Sequence, residues 1–180
     1  MTFKEVFKNG KPVIGMIHTG RSDELSILEL ARKYGAKFIQ IDSVCGHLDV
    51  DDEKAYVKQL QKNRKEYGVA VLGGVRFKYQ PVRSGRSTEE DLILGKERCD
   101  AVVCTGSGTG IETPMAKVEQ FKATLGEFPV VVGAGVTLDT ARETLRKSDG
   151  MIVGSWFKYG HEAHNVVNEE FVKAFMEALA

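Results

Sequence analysis

The chain has 180 residues, of which 42% are hydrophobic and 28% charged, and its 25 basic side chains balance 25 acidic ones. This length fits one domain with a sizeable core and is marginal for two, so residues 1–180 are predicted to form a single domain. Interspersed, balanced charge argues against nucleic-acid and membrane-surface binding, and the apolar runs are far shorter than the roughly 20 residues of a membrane span. With a polar N-terminus that lacks an apolar signal core, the sequence predicts a soluble, cytoplasmic protein.

The three cysteines are Cys45, Cys99 and Cys104, and no two of them form a CxxC pair. An odd number without such a pair indicates a reducing compartment and no structural zinc site. Cys104 lies inside an apolar run and is predicted to be a small buried side chain. Cys45 stands at a strand end among polar residues, where packing is favoured over a reactive thiol.

Short apolar runs alternate along the chain with segments of helical periodicity. The predicted strands are residues 13–17, 37–44, 69–75, 100–104, 129–132 and 151–153. The predicted helices begin at Thr2, at Ser22 or Asp23 (ending at Gly35), at Asp49 (ending at Tyr67), at Thr88, after Pro114 (ending at Gly126), at Thr137 (ending at Lys147) and after Asn168. Strands that are apolar on both faces indicate a parallel sheet covered by helices.

These elements make six βα units, whereas a closed TIM barrel has eight units and about 250 residues. The predicted fold is therefore a TIM-barrel-like α/β fold with about six βα units instead of eight. A closed ring of six strands is narrower than a ring of eight. An open sheet instead breaks between the first strand and the strand at residues 37–44, and both become exposed edges. We expect either a compact six-unit barrel or a homodimer that covers the gap.

Two glycine turns near the C-terminus predict a phosphate site. Gly133-Ala134-Gly135 follows the fifth strand, and Gly154-Ser155 follows the sixth. Glycine lets backbone N–H groups approach an anion, and two consecutive turns of this kind at the end of a parallel barrel form a phosphate site. The predicted phosphate-binding residues are Gly133, Gly135, Thr137, Gly154 and Ser155. The alternative is a pair of ordinary turns.

Functional side chains of such a barrel project from the C-terminal ends of its strands. His18 and Asp42 end the first two predicted strands, so they could act together in acid–base catalysis, with Asp42 as the base or as the group that orients His18. The alternatives are a hydrogen-bonded structural histidine and an aspartate that caps its own turn.

Further polar residues follow the middle strands. Arg76 and Lys78 are separated by one residue and are expected on one side of an extended segment, where they suit a second phosphate or a carboxylate; surface charge is the alternative. Lys78 joins His18 and Asp42 as a candidate catalytic residue. The candidate substrate-binding residues are Arg76, Thr105, Ser107, Thr109 and Lys158. Lys158 could balance the anion or be an ordinary solvated lysine.

No cofactor or metal is predicted. The acidic run 49–53 could hold Mg²⁺ beside a phosphate, but a helix N-terminus explains it better. His161 and His164 flank a loop with no cysteine or acidic cluster nearby, which argues against zinc. Trp156 could stack on a ring of the ligand, although packing is favoured.

Several segments resemble the BtpA family, which is named for a photosystem I biogenesis protein. They are Lys11-Pro12-Val13-Ile14-Gly15-Met16-Ile17-His18, Gly35-Ala36-Lys37-Phe38-Ile39, Val103-Cys104-Thr105-Gly106, Val132-Gly133-Ala134-Gly135-Val136-Thr137 and Ser148-Asp149-Gly150-Met151-Ile152-Val153-Gly154-Ser155-Trp156-Phe157-Lys158. The resemblance covers nearly the whole chain in order. It implies a phosphate-binding TIM-barrel type whose activity is poorly defined, and it implies no photosynthetic role here.

This chain departs from the family pattern in two places. Roughly two βα units that follow His18-Thr19-Gly20 in the family are absent, and Gly73-Gly74 stands where the family has an Asp near a strand end. Asp42 replaces an expected Asn. The sequence thus predicts a protein that binds a nucleotide or sugar phosphate, as a hydrolase, lyase or isomerase with His18 and Asp42 as acid–base residues. The alternatives are a non-catalytic phospholigand-binding protein, which the departures favour, and an assembly protein.

Overall fold

The computed structural model describes residues 1–8, 10–16 and 35–180. Its strands are β1 (Val13–Gly15), β2 (Phe38–Cys45), β3 (Ala70–Val75), β4 (Ala101–Cys104), β5 (Val130–Val132) and β6 (Gly150–Val153). Its helices are α1 (Phe3–Phe7), α2 (Val50–Tyr67), α3 (Thr88–Lys96), α4 (Met115–Leu125), α5 (Leu138–Lys147) and α6 (Glu169–Leu179). Two 3₁₀ turns follow β6, at Ser155–Phe157 and Tyr159–His161. His18 and the helix predicted between residue 22 and Gly35 lie outside the described residues.

The six strands form one parallel sheet in the order β1-β6-β5-β4-β3-β2. The sheet curls into a half-barrel, and from β2 onward a helix connects each strand to the next, so the predicted TIM-barrel-like fold with six units is confirmed. Within the described part of the chain, β1 and β2 lie at opposite ends of the sheet and do not pair. The gap therefore falls between the first two strands, as predicted.

The helices begin where the sequence supplies side-chain caps. Thr2, Ser87 and Thr137 each accept a hydrogen bond from the backbone N–H three residues on, and the residue at that position bonds back to complete a capping box. Asp49 and Asn168 cap α2 and α6. These caps satisfy backbone donors that the helix itself leaves without a partner, and each contributes about 1 kcal/mol to stability.

The two faces of the sheet have separate apolar cores. The outer face packs against the helices. Its core includes Val102 of β4, Phe121 of α4 and Phe175 of α6. The inner face carries Leu72, Val103, Val131 and Ile152, and the rings of α1 pack onto it. The Phe7 ring lies 4.8 Å from that of Phe3 and 5.3 Å from that of Phe38, so α1 covers part of this inner face.

β2 contains an irregularity that changes the position of one candidate catalytic residue. Ile41 pairs with Gly73, but the next pair is Cys45 with Val75, so β2 has extra residues between them. The prediction that Asp42 ends its strand is wrong, because the strand continues past it to Cys45. The Asp42 carboxylate therefore lies within the strand, where the pairing of β2 with β3 changes register, and not on the loop after the strand.

Candidate functional site

A cavity of about 240 Å³ opens at the C-terminal ends of β5 and β6. Both glycine turns line it, and so do all five residues predicted to bind phosphate: Gly133, Gly135, Thr137, Gly154 and Ser155. The remaining wall includes Met16, Lys78, Thr109, Ile152, Trp156 and His161. The parallel sheet brings these residues together because the ends of adjacent parallel strands meet at one edge.

Gly135 fixes the shape of one wall of the cavity. Its φ is +69°, in the left-handed region, and an added Cβ would lie 2.3 Å from backbone atoms of Ile111 and Glu112. No side chain fits there, so the chain after β4 lies directly against this turn. A hydrogen bond of 2.9 Å from Thr113 Oγ1 to the Ala134 carbonyl oxygen fastens the two segments.

The backbone amides of the glycine turns divide into two groups. The N–H of Gly133 donates to the Cys104 carbonyl at 2.8 Å, and that of Thr137 donates to Thr140 Oγ1 at 3.0 Å. Within residues 1–8, 10–16 and 35–180, no hydrogen bond engages the amides of Gly135, Gly154 and Ser155. These three amides are among the backbone donors that remain for an anion in the cavity.

Lys78 brings a positive charge to the same cavity. Its Nζ donates to Thr109 Oγ1 at 3.3 Å, and its backbone N–H donates to Thr105 Oγ1 at 3.0 Å. The Thr109 N–H donates in turn to the Tyr79 hydroxyl at 2.7 Å, so the loops after β3 and β4 are joined. An ammonium group has three donors, which lets Lys78 keep its bond to Thr109 and still bind an anion.

Arg76 and Lys78 both border an open depression beside the loop after β3, but only Lys78 also lines the cavity of the glycine turns. The φ of Arg76 is +47°, and this left-handed residue breaks the alternation that an extended segment would keep. Its guanidinium donates to Asp91 Oδ2 and Thr88 Oγ1, both at 2.8 Å. Arg76 is thus held against α3, and it does not line the cavity of the glycine turns.

The other candidate substrate-binding residues also separate. Thr109 lines the cavity, whereas Thr105 and Ser107 line a more open depression of about 460 Å³ that Arg76 borders. Lys158 is neither solvated nor at the cavity wall: it is buried, and its Nζ donates to the Ala163 carbonyl. Its removal from water lowers the pKa of this ammonium.

A buried ion network underlies the loop that carries Lys78. The fully buried Asp91 accepts hydrogen bonds from Arg76 (2.8 Å), Arg86 (2.8 Å) and Ser84 (2.9 Å). Glu53 accepts from Arg86 at 2.6 Å and from Arg98 at 2.8 Å.

Charge pairing dominates the ionisation of both acids in this network. Burial alone would raise the pKa of Glu53, but the hydrogen bonds from Arg98 and Arg86 outweigh it and lower the pKa to about 2. The balance is the same at Asp91, where burial opposes and the bonds from Arg86 and Arg76 lower the pKa. Both acids are therefore ionised partners of arginines.

The acidic run 49–53 has structural roles at the start of α2. Asp49 caps the helix by accepting from the Asp52 N–H at 3.3 Å, and Glu53 belongs to the buried network. The described residues contain no group of three or more His, Cys, Asp or Glu that could hold a metal ion.

The cysteines are buried free thiols. Cys45 Sγ lies 3.5 Å from Glu53 Oε1, at the edge of the ion network. Desolvation raises the pKa of Cys45, Cys99 and Cys104 to about 12 in each case, which keeps the thiols protonated near neutral pH.

Asp42 remains the candidate acid–base residue that the structure describes. Its Oδ1 accepts a hydrogen bond of 3.1 Å from Gln40 Nε2, and its side chain is exposed. Phe38 of the same strand packs on the inner core, so alternation places Gln40 and Asp42 on the inner face as well. Its predicted partner His18 lies outside the described residues.

Gly74 leaves no room for a side chain near the end of β3. A Cβ at Gly74 would lie 2.0 Å from the Asp42 carbonyl oxygen and 2.4 Å from the Phe77 ring. The irregular backbone of β2 occupies the space that a side chain would need.

His161 is a cavity residue that the sequence did not reveal. Its ring stacks on Trp156, with centroids 4.1 Å apart and an interplanar angle of 8°, and its Nδ1 lies 3.0 Å from the Trp156 carbonyl oxygen. The available sequence signal was its position shortly after the second glycine turn. Stacking on Trp156 and on Phe171 holds the ring at the cavity wall.

Comparison with known proteins adds a family and a fold. The sequence model of the BtpA family matches residues 13–180. An uncharacterised protein of Pyrococcus abyssi is 31% identical over 173 residues, covering 93% of this chain and 65% of that protein. The photosystem I biogenesis protein BtpA of Synechocystis is 26% identical over 170 residues, covering 91% and 59%. The chain thus spans less than two thirds of the length of these relatives.

Solved structures give the same architecture. The N-(5′-phosphoribosyl)anthranilate isomerase of Pyrococcus furiosus superposes with a TM-score of 0.53 at 17% identity, covering 98% of this chain and 93% of that one. The corresponding isomerase of Thermococcus kodakaraensis gives a TM-score of 0.51 at 22% identity, covering 83% and 66%. At these identities the likeness shows the fold alone. None of the described helices is long and apolar enough to cross a membrane.

Proposed function

The chain belongs to the BtpA family. From this membership and from the cavity at the ends of β5 and β6, we propose that it binds a phosphorylated small molecule, either a nucleotide or a sugar phosphate. The observation that carries the proposal is that two glycine turns from adjacent strands line one cavity. Their amides at Gly135, Gly154 and Ser155 have no other partner within the described residues. Converging amides and a nearby ammonium are the groups that bind phosphate in proteins.

Cavity size limits how much of the ligand is enclosed. About 240 Å³ is below the roughly 300–1,000 Å³ that encloses a drug-sized ligand. The phosphate and a few neighbouring atoms fill it, and the rest of the ligand extends over the open inner face of the half-barrel. Asp42 is exposed on that face.

The proposed activity is an acid–base reaction on this ligand by Asp42 with His18, as a hydrolase, lyase or isomerase. Phosphate anchoring supports such a reaction because it provides binding energy away from the reacting atoms. A non-catalytic, sequestering or regulatory role is the second candidate. Gly73-Gly74, where the family pattern is expected to have an aspartate, favours it, because a Cβ at either position would collide with neighbouring atoms.

Isothermal titration with inorganic phosphate, ribose 5-phosphate and adenosine monophosphate tests binding. We expect Lys78→Met to weaken phosphate binding by about 10- to 100-fold, the usual effect of losing a charge-assisted hydrogen bond. The matched control is Lys54→Met, since Lys54 is 75% exposed on α2 and pairs only with an exposed aspartate among the contacts described. A wild-type protein that binds none of the three ligands at millimolar concentration contradicts the proposal.

Mass spectrometry of the same incubations distinguishes the two roles. Turnover that Asp42→Asn abolishes without loss of affinity supports the enzyme. Binding without any product, unchanged in Asp42→Asn and His18→Ala, supports the non-catalytic role.

The edges of the half-barrel also favour self-association. β1 and β2 each have one neighbour in the described sheet, and exposed edges invite pairing with another chain. We propose a homodimer that covers the gap, and sedimentation velocity measures its stoichiometry.

A further inference from the structure

Tyr79 is an exposed aromatic residue that the protein holds in place at its hydroxyl end. It is 72% exposed, yet its hydroxyl accepts a hydrogen bond of 2.7 Å from the Thr109 N–H. Its φ is +61°, a left-handed conformation that non-glycine residues rarely adopt. Exposed side chains ordinarily change rotamer within nanoseconds, whereas the bond to the loop after β4 restrains this ring and leaves it uncovered.

The Tyr79 ring has an apolar neighbour in the same depression. Tyr79 and Ile111 both line the open depression of about 460 Å³, and Ile111 is 53% exposed. A Cβ added to Gly108 would lie 3.0 Å from the Tyr79 hydroxyl oxygen and 3.0 Å from Ile111 Cδ1, so the two side chains are neighbours at this glycine. The depression therefore has a partly apolar wall that is open to solvent.

This depression adjoins the cavity of the glycine turns. Lys78 lines both, and Thr109, whose N–H holds the Tyr79 hydroxyl, lines the cavity. Phe77 of the inner core also lines the depression, so a ligand that extends from the cavity over the inner face meets it. Only Lys78 and Thr109 stand between a phosphate in the cavity and the Tyr79 ring.

A planar ring is the ligand group that suits this wall. Every nucleic-acid base has a flat π face that stacks on an aromatic side chain, whereas ribose carries hydroxyl groups and has no such face. We propose that the depression lined by Tyr79 and Ile111 binds the base of a nucleotide by stacking on Tyr79, which makes the ligand a nucleotide and not a sugar phosphate. This inference rests on the proposed phosphate site.

Three ligands separate the base from the rest of the nucleotide. Inorganic phosphate and ribose 5-phosphate test the phosphate site, and adenosine monophosphate adds the base. We expect the wild-type protein to bind adenosine monophosphate about tenfold more tightly than ribose 5-phosphate, a usual gain from stacking one base on an aromatic ring.

Two variants of Tyr79 separate the ring from its hydroxyl. Tyr79→Asn removes the ring, in a residue type that tolerates the left-handed backbone, and should abolish the tenfold gain without changing the affinity for ribose 5-phosphate. Tyr79→Phe keeps the ring and should keep most of the gain. Tyr159→Asn is the matched control, because Tyr159 is 54% exposed and lines neither the depression nor the cavity.

Nuclear magnetic resonance of protein with ¹³C-labelled tyrosine provides a measurement on the wild-type chain. The Tyr79 ring signal is the one absent from the spectrum of Tyr79→Phe. We expect adenosine monophosphate to move it upfield through the ring current of the base, and ribose 5-phosphate to leave it in place.

Several results would overturn the inference and leave the phosphate site standing. They are equal wild-type affinities for adenosine monophosphate and ribose 5-phosphate, a gain that survives in Tyr79→Asn, an equal loss of both ligands in that variant, and an unmoved Tyr79 signal while adenosine monophosphate binds. A wild-type protein that binds none of the three ligands overturns this inference and the proposed function together.

Discussion

Replacing Asp91 with asparagine tests how much the buried ion network stabilises the fold. Asp91 is 0% exposed, and its two oxygens accept hydrogen bonds from Arg76 (2.8 Å), Arg86 (2.8 Å) and Ser84 (2.9 Å). Asparagine has nearly the same shape but no charge. In either orientation of its amide, the NH₂ group would face a hydrogen-bond donor. Two guanidinium groups then lose a buried counter-charge, and at least one donor loses its acceptor.

Breaking a buried ion pair by removing one partner costs about 3–5 kcal/mol, so we expect Asp91→Asn to lower the free energy of unfolding by that amount. This is a large share of the 5–15 kcal/mol of a typical domain. Urea unfolding followed by circular dichroism measures it. Asp51→Asn is the control, because Asp51 is 94% exposed and its pair with Lys54 is worth at most about 1 kcal/mol. Equal, small losses in both variants would refute the reasoning.

Three further predictions follow from the same structure. Desolvation lowers the pKa of His47, whose Nδ1 is buried without a partner in the described residues, below an unfolded value of about 6.5. The neutral ring therefore stabilises the fold above pH 6.5, and this stability is lost as the pH falls through that value toward the folded pKa. His47→Phe should flatten the pH dependence of the free energy of unfolding, measured in urea between pH 7 and 5. An unchanged pH dependence in the variant would contradict this. Gly154→Ala should fold normally, since its Cβ meets Met16 at 3.6 Å, yet weaken phosphate binding in calorimetry by placing a methyl group at the cavity wall; wild-type affinity would argue against the site. With a pKa of about 12 and a buried thiol, Cys45 should react with a disulfide reagent only as fast as the protein unfolds, and rapid labelling of the native protein would show otherwise.

The order of elements could be predicted because each strand is a short apolar run that ends at polar or glycine residues. The capping residues Thr2, Ser87 and Thr137 act locally, so helix starts depend on nearby sequence and the predicted and observed bounds differ by a residue or so. The convergence of the two glycine turns follows from parallel topology alone.

Other features depend on individual side-chain contacts that no sequence pattern describes. Arg76 itself has a left-handed backbone, and its guanidinium pairs with Asp91 of α3. The burial of Lys158 depends on its bond to the Ala163 carbonyl, and the placement of His161 depends on stacking with Phe171. Alternation and charge patterns describe single elements, so they could not predict these side chains.

The close approach of Gly74 to the carbonyl of Asp42 has a consequence for how this chain can diverge from its relatives. An aspartate introduced at 74 alone would collide with β2, and straightening β2 alone would leave an unfilled space beside the glycine. The two positions therefore constrain each other: a side chain at 74 requires a different course of the β2 backbone at Asp42.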